Sequence, residues 1–154
     1  MITVKNQDLE LAKLKLTKED LSLVIVKKGQ VIFETKKPGI GGFLQAIEQL
    51  DKKLVASSAA DKIVGVAAAL LCVYAGVASV FALTISEGGI RVLEDNKIAC
   101  RFEKKVSNIL NRSKDDVCPF EKRAMASGSP DEAYVKLKSL ANEMMRKPEK
   151  TDLC

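Results

Sequence analysis

The spacing of apolar residues over the first third of the chain predicts two helices with a hairpin between them. Apolar side chains recur at helical spacing over residues 6–16 and again over residues 43–54. Two apolar, β-branched stretches, residues 21–26 and 31–35, flank a Lys-Lys-Gly-Gln turn and predict an antiparallel hairpin. A proline and three glycines over residues 37–42 predict a loop before the second helix.

The middle of the chain is its most apolar part. Residues 54–57 fit a short buried strand, and Ser58 and Asp61 have the spacing of a capping box, which predicts that a major helix begins there. The uncharged run over residues 63–85 is long enough for a membrane span. Its composition changes at Gly76 from Ala-rich to β-branched, which favours a buried helix followed by a buried strand.

The second half continues the alternation of strands and helices. Residues 87–89 end the buried strand, and we expect a short helix over 90–94 and a strand over 97–102. A helix start with Pro at its first position follows Cys118, and a terminal helix is predicted over 130–146. This order favours an α/β fold in which parallel strands have helices on their faces.

Length and composition agree with one globular domain. The chain has 154 residues, of which 47% are hydrophobic and 29% charged. We expect a single domain over residues 1–147 and a frayed tail over 148–154. The net charge of +5 is spread along the chain and aromatic residues are only 5%, so neither nucleic acid nor a membrane is an expected partner.

Two residue types limit the chemistry. The sequence has no histidine, which excludes Ser/His and Cys/His nucleophile pairs and any zinc site that requires imidazole. The four cysteines have no short pair spacing and no apolar leader precedes them, so we expect reduced thiols and a cytoplasmic location. No metal and no cofactor are predicted.

Four phrases resemble an uncharacterised family, domain of unknown function 1893. They occur in the family's order at residues 61–69, 85–88, 109–112 and 118–122, and the resemblance covers about 21–125. It implies a cytidine-deaminase-like fold, a three-layer mixed β-sheet with flanking helices. It also implies a branch of that fold without the usual catalytic zinc site.

The chain departs from the zinc-dependent deaminases at both of their motifs. Those enzymes take one metal ligand and a catalytic Glu from a His-or-Cys-Ala-Glu helix start, and two Cys from Pro-Cys-x-x-Cys at the next helix. Here the first helix start is taken as Ala60-Asp61-Lys62, and the second holds the single Cys118. One thiolate does not make a three-ligand zinc site, so zinc-dependent deamination is not expected.

Asp61 and Lys62 are the sharpest candidates for a ligand site. At a helix start beside the pocket implied by the fold, they would hold an anionic or polar ligand. The alternative is that Asp61 completes the capping box with Ser58 and that Lys62 is solvated. Gly65 would then serve close helix packing.

Cys118 and Glu121 mark the second helix start. A thiol at a helix N-terminus can have a lowered pKa and act as a nucleophile or redox sensor, but a buried apolar thiol is the simpler interpretation. Glu121 would cap its own helix. If both residues meet Asp61 across two helix starts, a functional interpretation gains weight.

Three further features stay open. Asn111 and Arg112 belong to the family pattern, and Arg112 either clamps a carboxylate or phosphate or pairs with Asp115 or Asp116. The glycine-rich residues 39–42, before a helix, could hold phosphate, although they lack the P-loop signature.

The resulting hypotheses belong to different classes. The first is a non-catalytic, deaminase-like module that binds a nucleotide-like or anionic small molecule through Asp61, Lys62 and the residues around Cys118. The second is a thiol- or carboxylate-dependent enzyme that uses Cys118 as nucleophile and Asp61 or Glu121 for proton transfer. The third is a protein interaction module that docks a partner through a sheet edge or its terminal helix. The sequence does not define the oligomeric state.

Overall fold

The centre of the fold is a mixed, five-stranded β-sheet. The structure is a computed structural model that describes residues 4–146. The strands are β1 (Leu23–Lys27), β2 (Gln30–Thr35), β3 (Ser58–Val64), β4 (Ser79–Ser86) and β5 (Ala99–Val106), in the spatial order β2-β1-β3-β4-β5. β1 is antiparallel to β2 and β3, whereas β3, β4 and β5 run parallel. The predicted hairpin and the predicted parallel neighbours are both confirmed.

Helices cover both faces of this sheet. In the described residues these are α1 (Val4–Lys18), α2 (Gly41–Leu50), α3 (Val66–Ala75), α4 (Glu87–Asp95), α5 (Pro119–Met125) and α6 (Pro130–Arg146). α1 packs its apolar side on one face, against β1, β3 and β4. The other helices share the second apolar cluster, in which α6 lies on the outer side of α3. The predicted α/β class, a mixed sheet in three layers, is confirmed.

The uncharged run forms the centre of the core as two elements. α3 ends at Gly76, which has φ of 79° and ψ of 25°. The Gly76 amide donates to the carbonyl oxygens of Cys72 and Val73 in the last turn of the helix. That left-handed conformation favours glycine, which explains why the helix ends there. β4 follows and is largely buried. Within residues 4–146, no helix has the length and apolarity that a membrane crossing requires.

The predicted strand over 54–57 and the helix predicted from Ser58 are both wrong. Asp51–Leu54 is a short 3-10 helix, and Ser58 begins β3. The buried Ser58 hydroxyl lies 2.7 Å from the hydroxyl of Ser79 on β4 and does not cap a helix. Pairing with strands on both sides therefore overrides the local capping-box spacing. The major helix begins only after Gly65.

Two other boundaries differ from the predictions. α4 begins at Glu87, because the Ser86 hydroxyl accepts a hydrogen bond from the Gly89 amide at 3.0 Å and caps the helix. The two glycines thus lie in the first turn instead of a loop. β5 runs on to Val106 and is exposed along most of its length. The expected tail over 148–154 lies outside the described residues.

Candidate functional site

Asp61 lies on β3, as the fourth of the strand's seven residues. It pairs with Leu23 of β1 and with Ala82 of β4. The expectation that Asp61 stands at a helix start is therefore wrong. One carboxylate oxygen accepts a weak hydrogen bond from the Ile63 amide at 3.3 Å. The side chain faces a cavity between β3 and the starts of α3 and α5.

The Asp61 carboxyl group is crowded by protein atoms but keeps partial solvent contact through the cavity. Loss of hydration raises its pKa from 3.8 to about 7, and hydrogen bonds from the Ile63 and Lys62 amides oppose this only in part. Among residues 4–146, no Lys or Arg side chain forms an ion pair with it. Within the described part of the chain, Asp61 is thus a carboxyl group without an ion-pair partner.

Lys62 contributes little charge to this cavity. Its ammonium group lies 2.8 Å from a carboxylate oxygen of Asp20, on the protein surface. The ion pair lowers the pKa of Asp20, first through the hydrogen bond from Lys62. Lys62 borders the cavity, but its ammonium group pairs with Asp20 and not with Asp61.

Glu121 caps α3 from the neighbouring α5. Its two carboxylate oxygens accept hydrogen bonds from the amides of Val66 and Ala67, each at 2.7 Å. The side chain is 3% exposed, and this burial raises the carboxyl pKa while the two amides oppose the rise. The prediction that Glu121 caps its own helix is wrong: it satisfies the unpaired amides and the positive end of α3.

Gly65 provides the space for that carboxylate. A Cβ atom on residue 65 would overlap with the Glu121 carboxyl group. The backbone there has φ of −108° and ψ of −162°, an extended conformation that any residue can adopt. The glycine is therefore required by space, not by backbone conformation. The close packing expected at Gly65 involves a side chain of another helix.

Cys118 immediately precedes α5 and is buried, with 1% exposure. Its amide donates to the carbonyl of Ile109 at 3.0 Å, which fixes the chain at the cavity wall. Its sulfur is disulfide-bonded, so the expectation of a reduced thiol is not met at this position. A nucleophilic thiolate at Cys118 would first require reduction of that bond.

Asn111 and Arg112 have different surroundings. The Asn111 side chain donates to the Asp115 carboxylate at 3.0 Å and accepts from the Asp115 amide at 3.3 Å, which closes a surface turn. Asp116 pairs with Lys122. Arg112 is exposed, and its side chain has no ion pair with a carboxylate of the described residues. Neither pairing expected for Arg112 is formed.

The inner cavity has a volume of about 100 Å³ and a mainly apolar wall. It brings Asp61, Lys62, Gly65, Cys118 and Glu121 together. Its other lining residues are Ser22, Pro38, Gly39, Ile40, Ile63, Ala68, Ile109 and Phe120. Gly39 and Ile40 belong to the glycine-rich residues considered above for phosphate. The apolar wall residues Ile63, Ala68 and Ile109 were missed, because apolar residues give no sequence signal that they line a cavity.

A second, outer cavity of about 170 Å³ adjoins the first. Lys37 and Arg112 contribute cationic side chains to its wall, next to the start of α2. The two cavities share Pro38, Gly39, Ile40 and Phe120, so they form one cleft. The remaining residues of the outer wall are Gly41, Ala141, Met144 and Met145. Asn111 does not line either cavity.

These residues do not fit the zinc site of the zinc-dependent deaminases. Gly65 has no side chain to donate, and both Glu121 oxygens already accept amide hydrogen bonds. The Cys118 sulfur is disulfide-bonded. The part of the chain that the structure describes contains no group of three or more His, Cys, Asp or Glu side chains placed to hold a metal.

Comparison with known proteins places the chain in a family. Residues 11–140 match the family model described as Domain of unknown function (DUF1893). The protein therefore belongs to the DUF1893 family. The match extends beyond residues 21–125, over which the motifs suggested it. No curated protein matches the sequence.

One solved structure agrees with this assignment. The DUF1893 family protein TM1506 from Thermotoga maritima is similar over 90% of this chain and 92% of its own, with a TM-score of 0.81 and 27% identity. RibD from Acinetobacter baumannii has a TM-score of 0.45 at 22% identity, over 64% of this chain and 34% of RibD. The apo dCMP deaminase of cyanophage S-TIM5 has a TM-score of 0.44 at 14% identity, over 67% of this chain and 97% of its own.

Proposed function

We propose that this protein is a non-catalytic module that binds a nucleotide-like small molecule in the cleft between β3 and the starts of α2, α3 and α5. The observation that carries the proposal is Asp61. Its carboxyl group faces a cavity, has no cation beside it among the described residues, and has a pKa raised to about 7. Such a group costs stability, and a ligand that supplies hydrogen-bond donors would offset that cost.

The inner cavity favours donor groups over anions. Its polar side chains include two carboxyl groups, Asp61 and Glu121, while Lys62 binds Asp20. The N-terminus of α3 already holds the Glu121 carboxylate, so it offers little attraction to a second anion. A ring with adjacent N–H and amino groups would suit Asp61, because a carboxylate accepts two parallel hydrogen bonds.

The outer cavity favours the opposite charge. Lys37 and Arg112 line it, and guanidinium and ammonium groups both bind phosphate. A molecule with a donor-rich ring at one end and an anion at the other would therefore fit the cleft in one orientation. The anionic end of the proposed ligand would therefore bind at Arg112, and not at Lys62.

Position and size are consistent with this ligand class. Ligands of open α/β sheets bind outside the carboxyl ends of the parallel strands, and Gly65, directly after β3, lines the inner cavity together with Asp61. The two adjoining cavities, about 100 and 170 Å³, approach the lower end of the roughly 300–1,000 Å³ typical of small-molecule sites. A single ring would fill the inner one.

A thermal-shift screen tests the proposal. The wild-type protein is scanned against nucleobases, nucleosides and nucleotides, alongside Asp61→Asn and the control Asp95→Asn, whose residue is exposed and lines neither cavity. The control makes the same chemical change at a surface carboxylate. A ligand at ~100 times its dissociation constant adds ~2.7 kcal/mol to the free energy of unfolding. We expect a shift in the wild type and the control but not in Asp61→Asn. No shift with any compound, or equal shifts in all three proteins, would contradict the proposal.

The raised pKa of Asp61 also favours a second candidate function, a carboxylate-dependent enzyme. A pKa near 7 suits Asp61 to proton transfer at neutral pH. Incubation of the screening hits with the protein, followed by product analysis, separates the two candidates. Turnover that follows one ionisation near neutral pH and is absent in Asp61→Asn would favour the enzyme. Unchanged compounds would favour the binding module.

A further inference from the structure

β5 is an edge strand with both faces largely open. Within the described residues, β4 is the one strand that pairs with it, and the Ala99 amide also donates to the carbonyl of Ala78 just before β4. Six of its eight residues are exposed, and Phe102 keeps 42% of its surface in solvent. An exposed aromatic side chain on an unpaired edge is a surface suited to strand addition.

We propose that β5 pairs antiparallel with β5 of a second copy of this chain, across a two-fold axis at Phe102. The two sheets would then form one continuous sheet of ten strands. In this register Phe102 lies opposite its own copy. Arg101 lies opposite the partner's Glu103, and Glu103 opposite the partner's Arg101.

The charges along β5 favour this register over those centred on a charged residue of the strand. In an antiparallel pair, residues directly opposite each other point to the same face of the sheet. A two-fold symmetric pair of β5 strands therefore always has one residue opposite its own copy, and another register means another central residue. A centre at Arg101 or at Glu103 places that residue opposite its own copy, and a centre at Lys104 places two ammonium groups together. Like charges directly opposite are destabilising, whereas aromatic and opposite-charge pairs each contribute roughly 0.2–1 kcal/mol.

Lysines on an edge strand commonly prevent association, and β5 carries two. In the register centred on Phe102, however, Lys104 lies opposite the partner's Cys100 and Lys105 opposite the partner's Ala99. These short side chains leave room for both lysines, and the ammonium groups stay in solvent. No like charges face each other within the paired strands.

Both charged partners are available for the contact. Glu103 is exposed and has no ion pair within residues 4–146. Arg101 pairs with Glu10 of α1 at 2.5 Å, on the same surface. A guanidinium group has five N–H donors, so Arg101 can hold Glu10 and the partner's Glu103 together.

Analytical ultracentrifugation of charge-reversed variants tests this interface. Wild-type protein is compared with Arg101→Glu, Glu103→Arg and the double variant, from low to high micromolar concentration. The control is Glu34→Arg, the same reversal on β2 at the opposite edge of the sheet. Circular dichroism establishes that each variant is folded.

We expect the wild type and the control to form dimers as concentration rises. Each single reversal places like charges opposite and should shift the dissociation constant at least about tenfold towards monomer. The double variant restores opposite charges and should dimerise again. A wild type that stays monomeric over the whole range, or a dimer that survives both single reversals, would overturn the proposal.

Discussion

The Glu121 carboxylate lies where a side chain on Gly65 would have to be placed. From there it caps α3 through two amide hydrogen bonds of 2.7 Å. A side chain of α5 thus accepts hydrogen bonds from the first amides of α3, and the absence of a side chain at residue 65 makes this contact possible. The relationship couples α5 to the centre of the core and fixes one wall of the inner cavity.

A double-mutant cycle at these two residues measures that coupling. Gly65→Ala should destabilise the fold by roughly 2–4 kcal/mol, because the new methyl group displaces a buried charged cap. Glu121→Ala should cost about 2–3 kcal/mol, since it leaves two helix amides without acceptors. In the double variant the methyl group has space, so the combined loss should be smaller than the sum by at least about 1 kcal/mol. Urea unfolding gives the four values.

The control for this cycle is Gly65→Ala combined with Asp20→Ala, a surface carboxylate that does not contact residue 65. Those two losses should add. Additive losses for Gly65 and Glu121 would mean that the two residues do not share the same space, contrary to the structure.

Asp61 should make stability depend on pH. Its pKa is 3.8 in the reference state and about 7 in the fold, so between these values the folded chain binds more protons than the unfolded one. The free energy of unfolding therefore falls as pH rises through this window. Asp61→Asn removes the effect, and the variant should gain roughly 2–4 kcal/mol on the wild type between about pH 4 and pH 8.

Urea unfolding of both proteins across that pH range tests the prediction. Glu121 also has a raised pKa, but it is present in both proteins and cancels in the difference. A difference that does not vary with pH would show that Asp61 titrates alike in the folded and unfolded chains.

Arg112 should distinguish nucleotides from nucleosides. It lines the outer cavity, so Arg112→Ala should weaken binding of a phosphorylated ligand by about tenfold, or ~1.4 kcal/mol, and leave the matching nucleoside unchanged. Calorimetric titration of the two compounds measures both affinities. Lys62→Ala is the matched control, because its ammonium group pairs with Asp20. Equal weakening by both variants would place the anion elsewhere.

The order of elements could be predicted because it follows from local patterns. The end of α3 at Gly76 and the hairpin from β1 to β2 depend on composition over a few neighbouring residues. The error at Ser58 has a different origin, since spacing alone cannot show that β1 and β4 flank this segment. Long-range pairing then decides between a helix and a strand.

The sequence indicated some residues of the candidate site, but it did not indicate how they are arranged. The motifs indicated Asp61, Cys118 and Glu121, and all three line one cavity. The cap that Glu121 forms on α3 joins residues more than fifty positions apart in sequence, so helix-start rules assigned it to its own helix. Arg112 reaches the outer cavity only because the fold brings its turn beside α2.

Carbon-detected NMR titration of the Asp61 carboxyl group measures its pKa directly and requires no ligand. Assignment by comparison with Asp61→Asn identifies the resonance, and Asp20 serves as an internal surface carboxylate whose pKa is lowered by Lys62. We expect a midpoint of about 7 for Asp61. A midpoint close to 3.8 would show that water or a counter-ion compensates the carboxylate, and would contradict the claim that the cleft holds an unpaired carboxyl group for a ligand.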